Sequence, residues 1–471
     1  RGTEPGWGRA TEPGVGRAGR SACLPWACRH GTLDRRRERS VEGWRTVSNI
    51  AVVGTGYVGI TTAASMASLG HSVVGIDIDE SKVEMLSRAE VPILEAGLNE
   101  LVRDGLRQGH LRFTTDHAEA ADAEFVFLCV PTPPDEDGRA DLTHLLDAAR
   151  TLSPHLQPDA VVINKSTVPV GSAARVQREL GRQDVFVVSN PEFLREGHAV
   201  RDCLQPDRLV IGSDDEAAAI RVFSLYRGIV TPLVVTDPAT AELTKYAANA
   251  FLATKLSFIN SIAAICEEVG ANIGDLVLGL GHDKRIGAEF LRPGPGWGGS
   301  CFPKDTRALQ AIAADVDYDF TLLRETVAVN DAQRHRVVGK VGRLSSVPLD
   351  QARVAVWGLT FKAGTDDLRE SPSLAVIDVL LEAGADVHAH DPTIDPASDV
   401  IEGVTLHDSP LDAVDGAHAL LLMTEWDDYR WIDPAELVDR MAEPNVVDTR
   451  NLLNPASLTR AGCRVVGTGR S

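Results

Sequence analysis

Cysteine is sparse and scattered: seven in 471 residues, with none of the dense spacing of a disulfide scaffold. A reducing cytoplasm suits that usage. No run of about 18 consecutive apolar residues occurs, so the sequence predicts no membrane-spanning helix. The N-terminus shows no apolar leader of the secretory kind. Basic residues are outnumbered, 47 Lys plus Arg against 67 Asp plus Glu, and a net charge of −20 argues against a general nucleic-acid binder. The 13 histidines form no H-E-x-x-H or other ligand spacing, so no catalytic metal is expected. What is present is ordinary for a globular chain: 44% hydrophobic and 24% charged residues, enough chain for about two to four domains.

The charge is unevenly placed. Residues 1–47 carry ten Arg and five acids, net +5, which leaves −25 for the rest. That segment is rich in Gly, Arg and Pro, and TEPGWGRA nearly repeats as TEPGVGRA. It has too little apolar content to fold alone, and Cys23 and Cys28 lack partners to complete a metal site. It reads as a disordered extension, or as upstream sequence translated from a misassigned start.

Ordered signals begin at Asn49. NIAVVG reads as a buried strand, HSVVGIDID as a second, and AEFVFLCV, AVVINKS and DVFVVSN as further strands separated by helical or loop segments. That alternation predicts a parallel, doubly wound α/β sheet. From Thr240 to Val269 some thirty residues contain no Pro and no internal Gly, which predicts one long helix. It is apolar around much of its circumference, hence buried between domains or subunits. A second α/β unit follows about residue 345, with ARVAVWGL, DVHAHDP, AHALLLMT and NVVDTRN as strands and SPSLAVIDVLLEAG as a helix. The predicted division is 48–239, a nucleotide-binding Rossmann domain; 240–335, a helical middle; and 345–460, a second Rossmann-like domain.

Gly54, Gly56 and Gly59 form G-x-G-x-x-G between a strand and a helix. The first glycine permits the tight turn, the second lets a pyrophosphate approach the backbone, and the third allows close helix–strand packing. Asp77 ends the second strand 21 residues after Gly56, where a carboxylate receives ribose hydroxyls and repels a 2′-phosphate. NAD is therefore favoured over NADP, an argument that nearby Lys82 weakens slightly.

Lys245 and Asn249, at i and i+4, share a face of the long helix. They suit stabilisation of an oxygen on which charge develops; equally, they suit a Lys at a wet helix end and a capped Asn. Cys301 lies in GWGGSCFPKD, after a Gly-Gly pair and just before a helix start at Pro303. The helix N-terminus and Lys304 both favour its thiolate, although a cysteine taken singly is more often buried and inert. A thiolate beside NAD has a specific use. An aldehyde yields a second hydride only after something adds to its carbonyl, and a thiol adds to give a thiohemiacetal, then a thioester that water cleaves. Glu192 and Glu196 in NPEFLREG suit activation of that water; read alone, they fit carboxylates at a helix start.

In order, GTGYVG, CVPTPP, KSTVPVG, NPEFLREG, ELTKYAANAF, RPGPGWGGSCFPKD and GLTFKAGTDDLRESPS resemble the UDP-glucose/GDP-mannose dehydrogenase family over residues 48–455. The cysteine block is highly specific; the glycine turn is not. The resemblance implies two Rossmann-like domains joined by a long helix that also builds a homodimer or larger homo-oligomer. It implies oxidation of a sugar C6 alcohol to a carboxylate with two NAD reduced, and UDP-glucose as the small-molecule substrate, with GDP-mannose or a UDP-N-acetyl-hexosamine as the alternative. It implies Cys301 as nucleophile, Lys245 and Asn249 at oxyanions with Asp305 in their proton network, Glu192 or Glu196 in hydrolysis, and Thr167 near cofactor and water. Val58, Asp77, Lys82 and Thr132 match cofactor contacts, joined by Glu196, Lys304 and Arg369. For the sugar nucleotide the matches are Glu192, Phe193, Leu194, Arg195 and Glu196, then Phe290, Leu291, Arg292, Pro293 and Gly294 with Gly298, and Lys362 and Arg450. Arg285 matches a residue that reaches the neighbouring subunit's site. Three departures stand out: residues 1–47 have no counterpart, the sugar loop reads FLRPG with Arg292 inside it, and VPILEAGL at 91–98 is only close to the family's text. Two rival classes remain: a two-electron hydroxy-acid dehydrogenase, which needs no Cys301, and an NAD-binding sensor, which needs no Lys245, Asn249 or Asp305.

Overall fold

The computed structural model of the chain describes residues 47–398 and 400–470. The expectations for the extension, with Cys23 and Cys28, lie outside the described residues.

The first sheet has eight strands: β1 (Asn49–Val53), β2 (Ser72–Ile76), β3 (Leu111–Thr114), β4 (Phe125–Leu128), β5 (Val161–Asn164), β6 (Phe186–Ser189), β7 (Leu209–Gly212) and β8 (Leu233–Thr236). Their order is β3-β2-β1-β4-β5-β6-β7-β8. Pairing is parallel from β3 to β6, β7 meets β6 antiparallel at Ser189 and Gly212, and β8 runs parallel to β7. The inner strands β1, β4 and β5 are apolar on both faces because helices cover both. Ile50 and Val52 pack with Phe125 and Phe127 on one side. Ala51 and Val53 pack with Val126 and Leu128 on the other. Each such buried Val, Ile, Leu or Phe side chain contributes roughly 1.5–3 kcal/mol of transfer free energy.

The second sheet is wholly parallel: β9 (Arg353–Trp357), β10 (Asp386–His390), β11 (Val404–Leu406), β12 (Ala419–Leu422), β13 (Asn445–Asp448) and β14 (Arg464–Gly467), in the order β11-β10-β9-β12-β13-β14. In both sheets the strand order thus reverses beside the first strand, between β1 and β4 and between β9 and β12. Ligands bind at that switch point, outside the carboxyl ends of the strands.

Six helices matter to the site: α1 (Tyr57–Ser68), α2 (Pro238–Val269), α3 (Ile273–Gly281), α4 (Phe302–Ala314), α5 (Thr321–Leu344) and α6 (Pro372–Glu382). Helix α2 starts two residues earlier than expected, because Asp237 caps it by accepting from Thr240 N at 2.8 Å and Pro238 takes the first turn. It stops at Gly270, whose φ of +70° closes the helix. By length and mean hydropathy alone α2 is apolar enough to cross a membrane. Its Glu242, Lys245, Asn249 and Asn260, however, are buried and bonded to other elements of the same unit.

Two expected boundaries move. Helix α5 continues past residue 335 to Leu344, because Val337, Val338 and Val341 pack under the second sheet. That sheet also ends beyond residue 460, at β14.

Candidate active site

The three glycines act as their spacing suggests. Gly54 turns with φ of +86°, and a Cβ there would stand 2.8 Å from Cys129 O. At Gly59 a Cβ would meet Gly54 O at 1.7 Å, so helix α1 packs on the turn only because the side chain is absent. A Cβ on Gly56 meets nothing within 4 Å, and this open backbone caps α1. Val58 follows, half-buried, in the first turn.

Asp77 Oδ2 accepts from Thr55 N and Thr55 Oγ1, both at 2.7 Å, and lies 3.2 Å from Lys82 Nζ. Burial raises its carboxyl, but the Thr55 hydrogen bonds prevail and keep it below the usual range, hence ionised. Oδ1 accepts only from Asp79 N, at 3.1 Å. One carboxylate oxygen thus keeps room for a ribose hydroxyl. The open Gly56 backbone and this oxygen fit a dinucleotide. After β4 and β5, Thr132 Oγ1 donates to Thr167 O at 2.8 Å and locks the two neighbouring loops together.

The reactive cluster is built from β6, α2 and α4. Glu192 leaves the end of β6 and is buried. Its Oε1 lies 2.7 Å from Lys245 Nζ, with the two side chains only 6% and 3% exposed. Its Oε2 accepts from Leu194 N at 2.6 Å. Burial pushes the Glu192 carboxyl up, but Lys245 more than reverses this and holds it below the ordinary range. The wet-end reading of Lys245 is thereby excluded, and neither glutamate starts a helix. One turn along α2, Asn249 Nδ2 donates to Asp305 Oδ2 at 2.6 Å, and Lys304 Nζ donates to Asp305 Oδ1 at 2.6 Å.

Cys301 occupies the N-cap of α4, as the sequence predicts. The expected thiolate does not follow. Burial raises the thiol to about 11, although Lys245 pulls it down. Lys304 cannot help, since its ammonium is engaged by Asp305. The group is a thiol at neutral pH and needs a base.

Several residues hold this loop in place, and of these the sequence reading did not single out Tyr57, Glu95, Ser257, Asn260, Trp297, Ser300, Asn330 or Gln333. Trp297 Nε1 donates to Ser257 Oγ at 2.9 Å, and Trp297 and Asn330 exchange two hydrogen bonds. Gly294 N donates to Asn260 Oδ1 at 2.8 Å, and Gly294 O accepts from Gln333 Nε2 at 2.8 Å. A Cβ on Gly298 would stand 1.9 Å from Glu370 O. Ser300 Oγ donates to Glu196 Oε1 at 2.6 Å and lies 3.6 Å from Cys301 Sγ. Buried Glu95 accepts from Gly197 N and Ala199 N at 2.7 and 2.9 Å and from the Tyr57 hydroxyl, tying the glutamate loop to the start of α1. The signals were present: Tyr57 sits inside GTGYVG and Glu95 inside VPILEAGL. What was missing was the packing that joins them.

Glu196 is mostly buried. Burial lifts its carboxyl to about 7, the Ser300 hydroxyl counters that, and Asp367 adds to it. Arg369 Nη2 is 3.6 Å away but is bonded principally to Asp367. Of the expected sugar-nucleotide residues, Leu291 is buried and Phe290 adopts φ of +60°. Arg450 approaches the place of a Gly294 Cβ at 3.2 Å while donating to Met423 O and Phe361 O. The loop at 290–298 therefore meets residues after β9, β12 and β13, and Lys362 follows Phe361 there. Phe193 lies under Lys245, 5.5 Å from its Nζ. Three arginines are not brought in: Arg195 pairs with Asp202, Arg292 is exposed, and Arg285 is 89% exposed and bonded to Asp283.

Among the described residues no group of three or more His, Cys, Asp or Glu is placed to hold a metal ion.

Three models of the UDP-glucose/GDP-mannose dehydrogenase family match: its NAD-binding domain at 48–230, its central domain at 239–332 and its UDP-binding domain at 355–455. A UDP-glucose 6-dehydrogenase of Rhizobium meliloti is 44% identical, over 89% of this chain and 99% of its own length. That of Pseudomonas aeruginosa is also 44% identical, over 89% and 97%. The solved UDP-glucose dehydrogenase of Pyrobaculum islandicum superposes with a TM-score of 0.83 at 35% identity, covering 94% of this chain and all of that one. Matched from the glycine turn through the cysteine loop to the second sheet, the chain belongs to the UDP-glucose/GDP-mannose dehydrogenase family.

Proposed function

We propose that the chain oxidises the C6 alcohol of UDP-glucose to the carboxylate of UDP-glucuronate, a four-electron reaction using two NAD. The observation that carries this reading is the placement of Cys301 at the start of α4 among a buried ammonium, Lys245, and a buried amide, Asn249. A two-electron dehydrogenase has no use for that thiol.

NAD, when bound, accepts the hydride in each oxidation; Gly54, Gly56, Val58, Gly59, Asp77, Lys82, Thr132 and Thr167 are the residues that would hold it. Lys245 and Asn249 stabilise the negative oxygen formed when the C6 hydroxyl loses its proton and again when the thiol adds to the aldehyde. Asp305 fixes Asn249 by accepting from its amide. Cys301 carries the thiohemiacetal and then the thioester. Water cleaves the thioester, and Glu196 takes its proton. Glu196 suits this better than Glu192, because Glu192 is held ionised against Lys245, whereas Glu196 is poised at about 7 and its Oε2 has no partner.

The division of labour follows the expected domains: 48–239 for NAD, 240–335 for the catalytic loop and self-association, and 345–460 with β14 for the UDP-sugar. A second copy of the chain is the proposed partner, with Arg285 completing the partner's site. This is supported by the outward face of α2, where Phe251, Phe258 and Ile265 recur every seven residues and are 65%, 53% and 56% exposed. The cytoplasm is the proposed location.

The test is turnover with UDP-glucose, GDP-mannose and UDP-N-acetyl-mannosamine side by side. Oxidation of UDP-glucose alone supports the reading; oxidation of another sugar nucleotide in its place keeps the chemistry and overturns the substrate.

A further inference from the structure

We propose that Ser300 is a proton relay that activates Cys301, passing the thiol proton to Glu196. The proposal rests on Cys301 being the nucleophile, and it concerns the step before the sulfur attacks.

Glu192 and Asp305 face the sulfur and are engaged, and Glu196 reaches it through Ser300. Both oxygens of Glu192 are bonded, to Lys245 Nζ and to Leu194 N. Both oxygens of Asp305 are bonded, to Lys304 Nζ and to Asn249 Nδ2. Glu196 alone keeps a buried oxygen, Oε2, without a partner. It is also the one joined to the cysteine by a hydroxyl.

The direction of that chain is fixed. An ionised carboxylate only accepts, so the single Ser300 O–H points at Glu196 Oε1, 2.6 Å away. The Ser300 lone pairs are then left to face the S–H at 3.6 Å. In the transfer the S–H bond breaks as a new O–H forms on Ser300. The original Ser300 O–H breaks as an O–H forms on Glu196. The hydroxyl ends unchanged, the thiolate lies beside the Lys245 ammonium, and the neutral Glu196 carboxyl, at about 7, releases its proton to solvent before it serves as base for the hydrolytic water. No electrons change hands.

The backbone prevents Ser300 from drifting. Gly299 turns with φ of +80° against the Phe361 ring, and Gly298 is pressed on Glu370 O. The groups facing Glu196 are Tyr57 from α1 and Lys362, Asp367 and Arg369 from the segment after β9; those facing Cys301 are Lys245, Glu192 and Asp305, with Lys362 and Arg369 from the segment after β9. Burial makes the thiol a weak acid on its own, with a value of about 11, and brings Glu196 to about 7, so the carboxylate is available as acceptor above neutral pH and the uphill transfer is drawn forward by the attack of the sulfur.

The experiment is alkylation of Cys301 by iodoacetamide in the full chain between pH 6 and 10, without substrate or cofactor. Cys301→Ala supplies the background, and melting temperatures establish that each variant is folded. Native protein should show a rate that rises through an inflection near pH 7 and then levels. Ser300→Ala and Glu196→Gln should lose the plateau, rising steadily with hydroxide and reacting about ten-fold or more slowly at pH 8. Ser300→Thr, which keeps the hydroxyl, should restore the plateau. A Ser300→Ala profile that matches the native one overturns the relay, as does a Ser300→Thr profile as depressed as that of the alanine. Because alkylation needs no turnover, failure to oxidise UDP-glucose would strike the proposed reaction and leave the relay standing.

Discussion

Lys245 Nζ and Glu192 Oε1 lie 2.7 Å apart with almost no access to solvent. The pair joins α2 to the loop after β6, and its two charges act on Cys301 in opposite senses, Lys245 lowering the thiol and Glu192 raising it. A buried pair loses most when one partner is removed, since the other charge is stranded. Lys245→Ala is therefore expected to lower stability by about 3–5 kcal/mol and to lower kcat by about a hundred-fold or more. Urea denaturation and initial rates check this. Lys245→Met with Glu192→Gln should recover much of the stability and none of the rate.

The glycine turn separates folding from binding. Gly59→Ala forces a carbon to 1.7 Å from Gly54 O, so α1 must move off the turn. The expected cost is about 1–3 kcal/mol or more, with NAD affinity lost. Gly56→Ala meets nothing in the protein; its melting temperature should stay near that of the native protein while NAD binding weakens sharply. Differential scanning calorimetry with NAD titration distinguishes the two. Equal loss of stability in both variants would contradict the assignment of Gly56 as the open approach.

Much of this was legible in the sequence, for physical reasons. β1, β4, β5, β9, β12 and β13 are buried on both faces and so read as unbroken apolar runs. The edge strands β3, β8, β11 and β14 are partly exposed, so they carry less of that apolar signature. Helix α2 was legible from its length, yet its inward polar residues acquire meaning only from β6 and α4. The position of Cys301 at a helix start was legible; its protonation was not. Burial is a property of the packed loop, and it outweighs the ammonium of Lys245. Ser300 and Glu95 escaped notice because their partners, Glu196 and Tyr57 with the 197–199 backbone, lie far away in sequence.

The raised carboxyl of Glu196 has a consequence for stability. The native chain holds a proton there between its ordinary 4.5 and about 7, where the unfolded chain has released it. Stability should fall as pH rises through that window, by ~3 kcal/mol at most. Asp367, held below its usual range mainly by Arg369 against the effect of burial, acts at lower pH and in the opposite sense. Glu196→Gln should flatten the slope between pH 4.5 and 7 in denaturation series. An unchanged slope would show that Glu196 titrates normally.

The α2 face carries its own test. Phe251→Glu with Phe258→Glu places two charges on the outward seam. The native chain is expected to sediment as a dimer or larger and the double variant as a monomer. A monomeric native chain would contradict self-association through this helix.

The central claim is that Cys301 takes the substrate past the aldehyde. The most direct measurement is NADH formed per UDP-glucose consumed, in the native chain and in Cys301→Ser. The account predicts two NADH for the native chain. For the serine variant it predicts an intermediate trapped before the second oxidation, because the hydroxyl is the poorer nucleophile. One NADH from the native chain, or undiminished acid production by Cys301→Ser, would contradict it.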